Sequence, residues 1–143
     1  MSSEITGSGA MKAEAARFLS TLLPRADGAM VIALSGDLGA GKTTFVQGIS
    51  EALCVEERVT SPTFVIKKIY ELESQPFGRL IHIDAYRLKD AHELETLGWH
   101  EIVADPRNLI LVDWPERVAS LIPANARHLA FEGSGGARYI TYG

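Results

Sequence analysis

The chain has one cysteine, Cys54, in 143 residues, so an internal disulfide is excluded. Cys54 stands beside Leu53 and Val55 at the end of a helical pattern, where a small buried side chain is expected. There is no apolar run of membrane-spanning length. Met1–Lys12 lacks the basic stretch and apolar segment of a secretory leader, so a cytoplasmic protein without membrane contact is expected. Positive charge is scarce: 14 Lys and Arg face 18 Asp and Glu, a net −4. Direct nucleic-acid ligands call for a basic face, so that balance argues against DNA as a partner. No internal repeat and no low-complexity tract is present.

The length suits one domain spanning residues 1–143, and 46 % hydrophobic residues lie in the ordinary globular range. Residues 1–10, rich in Ser, Gly and Thr, are expected to be flexible. Met11, Ala15, Phe18, Leu19 and Leu22 recur at helical spacing and predict a helix over Lys12–Leu23, ended by Pro24 and Asp27-Gly28. Met30–Leu34 and Leu109–Val112 are continuous apolar runs, as in strands covered on both faces. Phe45, Val46, Ile49, Ala52 and Leu53 again have helical spacing, with Gly48 available for close packing on the sheet. Phe64–Leu72 and Leu80–Asp84 read as strands, and Asp90–Leu97, Trp99–Ala104 and Pro115–Leu121 as short helical pieces. Arg127–Phe131 and Arg138–Tyr142 flank Gly133-Ser134-Gly135-Gly136 and predict a terminal hairpin over 127–142. The fold class is therefore α/β: a mostly parallel sheet with antiparallel additions, flanked by helices.

Gly36–Thr43 reads Gly-Asp-Leu-Gly-Ala-Gly-Lys-Thr, the pattern Gly-x4-Gly-Lys-Thr. A chance match somewhere in a chain of this length is about half a percent at average residue usage. The match begins just after a buried-strand pattern and runs into a helix pattern, the context its mechanism requires. Gly36, Gly39 and Gly41 permit backbone angles that let the loop's N–H groups turn inward as an anion nest. The following helix adds the positive end of its dipole. In this reading Asp37, Leu38, Gly39, Ala40, Gly41, Lys42, Thr43 and Thr44 bind ATP within a P-loop NTPase domain. Lys42 reaches the β- and γ-phosphates, Thr43 ligates Mg²⁺ and Thr44 donates to the α-phosphate. No Asn-Lys-x-Asp base-reading motif is present, which disfavours a GTPase.

Two further strand patterns end in aspartate, at Asp84 and Asp113. Ligands of open α/β sheets collect outside the carboxyl ends of the strands, so parallel neighbours would bring these residues and the glycine-rich loop to one rim. Asp113, after Leu-Ile-Leu-Val, is the candidate Mg²⁺ carboxylate; a helix-capping Asp is the alternative. Asp84 is a candidate ATP-binding residue that orients the attacking water or the metal's water shell, and a salt bridge with Arg87 is the alternative. Lys42 and Asp84 are thus the catalytic candidates, Thr43 and Asp113 the metal candidates. Thr60 and Thr63 lie in a loop of the kind that senses γ-phosphate by ordering, or form a plain turn. His82 shares a strand face with Asp84 and is expected to be packed or hydrogen-bonded rather than catalytic. Trp99 and Trp114 are expected to pack, with Trp114 adjoining the metal candidate.

Five motifs occur in order: Gly-Asp-Leu-Gly-Ala-Gly-Lys-Thr-Thr (36–44), Ser-Pro-Thr-Phe (61–64), His-Ile-Asp-Ala-Tyr-Arg-Leu (82–88), Glu-Leu-Glu-Thr-Leu-Gly (93–98) and Val-Asp-Trp-Pro-Glu (112–116). Together they resemble the TsaE family, bacterial ATPases of tRNA threonylcarbamoyladenosine synthesis. The resemblance covers Gly28 to Glu116. It implies a cytoplasmic protein that binds the TsaB–TsaD pair, and so meets tRNA indirectly, its ATP hydrolysis supporting modification of the adenosine beside the anticodon. It also implies metal binding by Thr43, a Walker B-like carboxylate at Asp113 and an essential strand-end aspartate at Asp84. The family usually has Glu where this chain has Asp113; the shorter side chain favours a water-mediated contact with Mg²⁺. The family's adenine-holding N-terminal segment is poorly matched here, and the region around Ile5–Thr6 and Glu14 is the candidate for it.

Two other classes compete with a partner-activated ATPase that is weak alone. A small-molecule P-loop kinase needs an acceptor pocket and a lid with arginines, whereas Leu88–Arg107 carries only Lys89 and Arg107 as cations. The other is a nucleotide-dependent binding module without turnover.

Overall fold

A computed structural model of the chain describes residues 2–36, 41–55, 67–134 and 136–143. Along the chain come β1 (Ser2–Ile5), α1 (Ser8–Ser20), β2 (Met30–Gly36), α2 (Lys42–Ala52), β3 (Lys67–Glu71) and β4 (Arg79–Asp84). A 3-10 turn (Ala85–Arg87), α3 (Ala91–Thr96), α4 (Trp99–Ala104) and β5 (Asn108–Asp113) follow. The chain ends with a kinked 3-10 segment (Pro115–Leu121), β6 (Arg127–Ser134) and β7 (Ala137–Tyr142).

All seven strands lie in one sheet, in the order β1-β7-β6-β2-β5-β4-β3. The central four, β6, β2, β5 and β4, are mutually parallel. β3 joins one edge antiparallel to β4, while β7 and β1 extend the other edge antiparallel. "Mostly parallel" thus describes the centre only; half of the ladders are antiparallel. The reason is connectivity: β3–β4 and β6–β7 are sequential pairs with short links, which antiparallel strands accept and parallel strands do not.

Period-two alternation sends each central strand into two cores. Ile32, Leu34, Leu80, Leu109 and Leu111 face the side covered by α1 and α2, with Phe18, Phe45 and Ile49. Val31, Ile81, Ile83, Ile110 and Val112 face the side covered by α3, α4 and the 3-10 segments, with Leu94 and Trp99. This double burial explains why β2 and β5 are apolar without interruption. Asp90 starts α3 by accepting the Glu93 N–H at 3.1 Å.

Three expectations change. Residues 2–5 are a strand, with Ser2 opposite Thr141 and Ile5 opposite Arg138, and α1 begins at Ser8 instead of Lys12. A short polar stretch carries no local strand signal; pairing with β7 supplies it. Gly48 packs on α1 and not on the sheet: a Cβ there would lie 2.8 Å from Ala15 Cβ and from Lys12 Cα. Cys54 is exposed, because the turn after α2 takes it to φ 61° and swings its side chain outward.

Candidate functional site

The three expected strand ends meet on one rim. In the parallel register Leu34 pairs with Asp113, and Asp113 with Asp84. The backbone of β2 turns at Gly36, whose φ is 133°. A Cβ at Gly36 would sit 2.3 Å from the Phe131 carbonyl oxygen on β6, so only glycine fits there. Gly41, with φ 101°, is the N-cap of α2, and Lys42, Thr43 and Thr44 form its first turn. Asp37, Leu38, Gly39 and Ala40 lie outside the described residues, as do Thr60 and Thr63.

Lys42 is buried although it carries a charge. Its Nζ lies 3.8 Å from Asp113 Oδ1 and 4.3 Å from the centroid of the Trp114 ring. The first distance is within Coulombic reach and too long for a hydrogen bond. Lys42 Nζ and Asp113 Oδ1 are both buried with no hydrogen-bond partner among the described residues. Unsatisfied buried charge is expensive, commonly several kcal/mol per ion. An ammonium with three unused donors, at the positive end of an 11-residue helix, is suited to an anion rich in acceptors.

The other Asp113 oxygen is engaged. Oδ2 is 2.8 Å from His82 Nε2, and the His82 side chain is only 3 % exposed. An ionised carboxylate only accepts, which assigns the donor role in this contact to Nε2. Asp113 caps no helix: the N-cap of the following 3-10 segment is Trp114, without a side-chain cap. Trp114 has φ 59° and ψ 53°, left-handed for a bulky residue, and its N–H donates to the Leu34 carbonyl. That conformation turns the indole toward Lys42.

Asp84 is also buried, and its Oδ1 accepts the Tyr86 N–H at 3.0 Å, capping the 3-10 turn. The Tyr86 ring stands 5.1 Å from the Trp114 ring, and the Arg117 guanidinium lies 5.2 Å from the centre of the Tyr86 ring. Thr43 is exposed and Thr44 half-buried at the head of α2. Glu14, suggested for the adenine side, is taken up by Arg17 at 2.8 Å and by the Tyr142 hydroxyl. Ile5 is in the core.

The structure thus places Lys42 beside Asp113 and Asp113 in register with Asp84, with Trp99 buried in the core. It adds the His82–Asp113 contact and the Trp114 ring over Lys42. The signal for the first was present: His82 precedes Asp84 by two residues and shares its strand face. Pairing it with Asp113 requires the β4–β5 register, which local sequence does not carry.

Comparison with known proteins gives a consistent result. A family model described as threonylcarbamoyl adenosine biosynthesis protein TsaE matches residues 8–140. The tRNA threonylcarbamoyladenosine biosynthesis protein TsaE of Streptomyces coelicolor is 43 % identical over 105 residues, 72 % of this chain and 66 % of that protein. The Bacillus subtilis protein of the same name is 38 % identical over 113 residues, 78 % of this chain and 68 % of that one. For the Borreliella burgdorferi counterpart the values are 37 % over 93 residues, 65 % of each chain. The aligned part therefore spans about two thirds of these relatives' own length. Among solved structures, the crystal structure of Bacillus subtilis YdiB superposes with a TM-score of 0.70 at 26 % identity, covering 99 % of this chain and 83 % of that one.

Proposed function

Because this chain belongs to the threonylcarbamoyl adenosine biosynthesis protein TsaE family, we propose that it is a Mg²⁺-dependent P-loop ATPase supporting the TsaB–TsaD pair. Through that pair it serves threonylcarbamoyl modification of tRNA adenosine next to the anticodon, in the cytoplasm. The observation that carries the reading is the buried Lys42 Nζ facing Asp113 Oδ1 at 3.8 Å, neither with a hydrogen-bond partner among the described residues, at a rim shared with Asp84.

The roles follow from chemistry at that rim. Lys42 and the N–H groups at the head of α2 bind the β- and γ-phosphates of ATP. The oxygens of Thr43 and Asp113 hold Mg²⁺, a cation that keeps several waters and needs only one or two protein carboxylates beside substrate phosphates. Mg²⁺, when bound, neutralises charge developing on the transferred phosphoryl group. Asp84, fixed by the Tyr86 N–H, orients the attacking water. Asp37, Leu38, Gly39, Ala40 and Gly41 complete the ATP loop, and Thr60 and Thr63 belong to the segment that senses the γ-phosphate.

The test is ATP hydrolysis by the purified protein, alone and with TsaB and TsaD added. The expected result is slow turnover alone and a clear rise with both partners. Fast phosphoryl transfer to a small metabolite would contradict it in favour of a kinase. Tight ATP binding with no hydrolysis in either condition would favour a nucleotide-dependent binding module.

A further inference from the structure

We propose that His82 is a positioning residue for Asp113: its Nε2–H holds Oδ2 and so directs Oδ1 at Lys42 and the metal seat. The functional consequence rests on the ATPase reading; the contact itself does not. His82 projects from β4 toward the side that also holds Leu80 and Leu111, where an aliphatic side chain would fill the space at no polar cost. Instead it places Nε2 2.8 Å from Asp113 Oδ2, while Nδ1 is buried with no hydrogen-bond partner among the described residues. One ring nitrogen is therefore committed to the carboxylate and the other to nothing, which makes the Asp113 contact its only polar engagement among the described residues. Asp113 in turn has one oxygen held by His82 and the other, 3.8 Å from Lys42 Nζ, without a hydrogen bond among the described residues. Without His82 the carboxylate is free to rotate and to lose that direction. His82 does not touch the nucleotide in this scheme and is not a catalytic residue. Partners of this kind typically contribute 10–100-fold to metal affinity or activity.

Two replacements separate position from mere bulk. His82→Gln carries an amide nitrogen near the Nε2 position, and His82→Asn carries one near Nδ1, too short to reach Asp113. Mg²⁺ titrations of ATP turnover should show His82→Gln within about threefold of wild type, and His82→Asn needing about 10–100-fold more Mg²⁺. Mg²⁺-free ATP affinity should stay within about twofold in both, because neither Lys42 nor the loop that binds the phosphates is replaced. His82→Asn with unaltered Mg²⁺ dependence would overturn the proposal, as would His82→Gln failing equally. Should either variant melt early, the Asp113→Ala background decides: adding His82→Asn there should change nothing, and a full further loss would overturn the proposal. Imidazole ¹⁵N NMR of the unliganded protein gives a readout without nucleotide. His82 should show a slowly exchanging Nε2–H that is lost in Asp113→Ala. A Nδ1–H tautomer, or an Nε2–H indifferent to Asp113, would overturn the pairing even if ATP hydrolysis stands. Absence of ATP binding by wild type would instead refute the ATPase reading and leave the NMR result to judge the pair.

Discussion

Lys42 Nζ and Asp113 Oδ1 lie 3.8 Å apart, both buried and neither hydrogen-bonded within the described residues. The pair joins the start of α2 to the end of β5 across the β2–β5 ladder, where Leu34 and Asp113 are in register. A stability role explains it poorly, since buried ions without good hydrogen bonds cost more than an apolar pair of similar volume. The proposed ATP and Mg²⁺ site would give both atoms a partner.

Gly36→Ala should destabilise the fold. The left-handed backbone costs roughly 1–2 kcal/mol and the overlap with the Phe131 carbonyl, 2.3 Å from the added Cβ, about 1–3 kcal/mol more. Urea unfolding should show a loss of about 2–5 kcal/mol with an unchanged slope. A loss below about 0.5 kcal/mol would mean that β2 and β6 are not held this close at Gly36.

Asp84→Ala should separate binding from turnover. Loss of the cap on the Tyr86 N–H costs about 1 kcal/mol of stability. ATP affinity should remain within about threefold, while hydrolysis falls about 100-fold or more. Equal loss of binding would show that Asp84 supports the rim and does not act on water.

Tyr142 reports on the packing of α1 against β7. Burial, and then the hydrogen bond to the Glu14 carboxylate, push its phenol up to about 12. The folded value is raised above the ordinary 10, so its contribution is complete below pH 10 and is lost as pH rises through about 12. Absorbance titration near 295 nm should contain a phenol ionising near pH 12 that disappears in Tyr142→Phe. Loss of a phenol from the ordinary range near pH 10 instead would place Tyr142 in solvent, away from Glu14 and from the Phe18 ring it stacks on.

Much of this site was legible beforehand because its parts are local. The runs Met30–Leu34 and Leu109–Val112 could only suit doubly covered strands, and an aspartate closing a strand marks the rim once strands are parallel. What was not legible depends on partners far along the chain. β1 is a strand only because β7, more than 130 residues away, pairs with it. Cys54 and Trp114 adopt left-handed backbone that their residue types disfavour, so propensity pointed elsewhere. The indole over Lys42 follows from that backbone, and the His82–Asp113 contact from a register between strands that contact across 31 positions.

The central claim is that Lys42 is the phosphate ligand of an ATP site. Calorimetric titration of Mg-ATP into wild type and Lys42→Ala tests it most directly. Removing one partner of a buried charge pair is worth 2–5 kcal/mol or more, so Lys42→Ala should bind at least about 30-fold more weakly while remaining folded. Equal affinity of the two proteins for Mg-ATP would contradict the account.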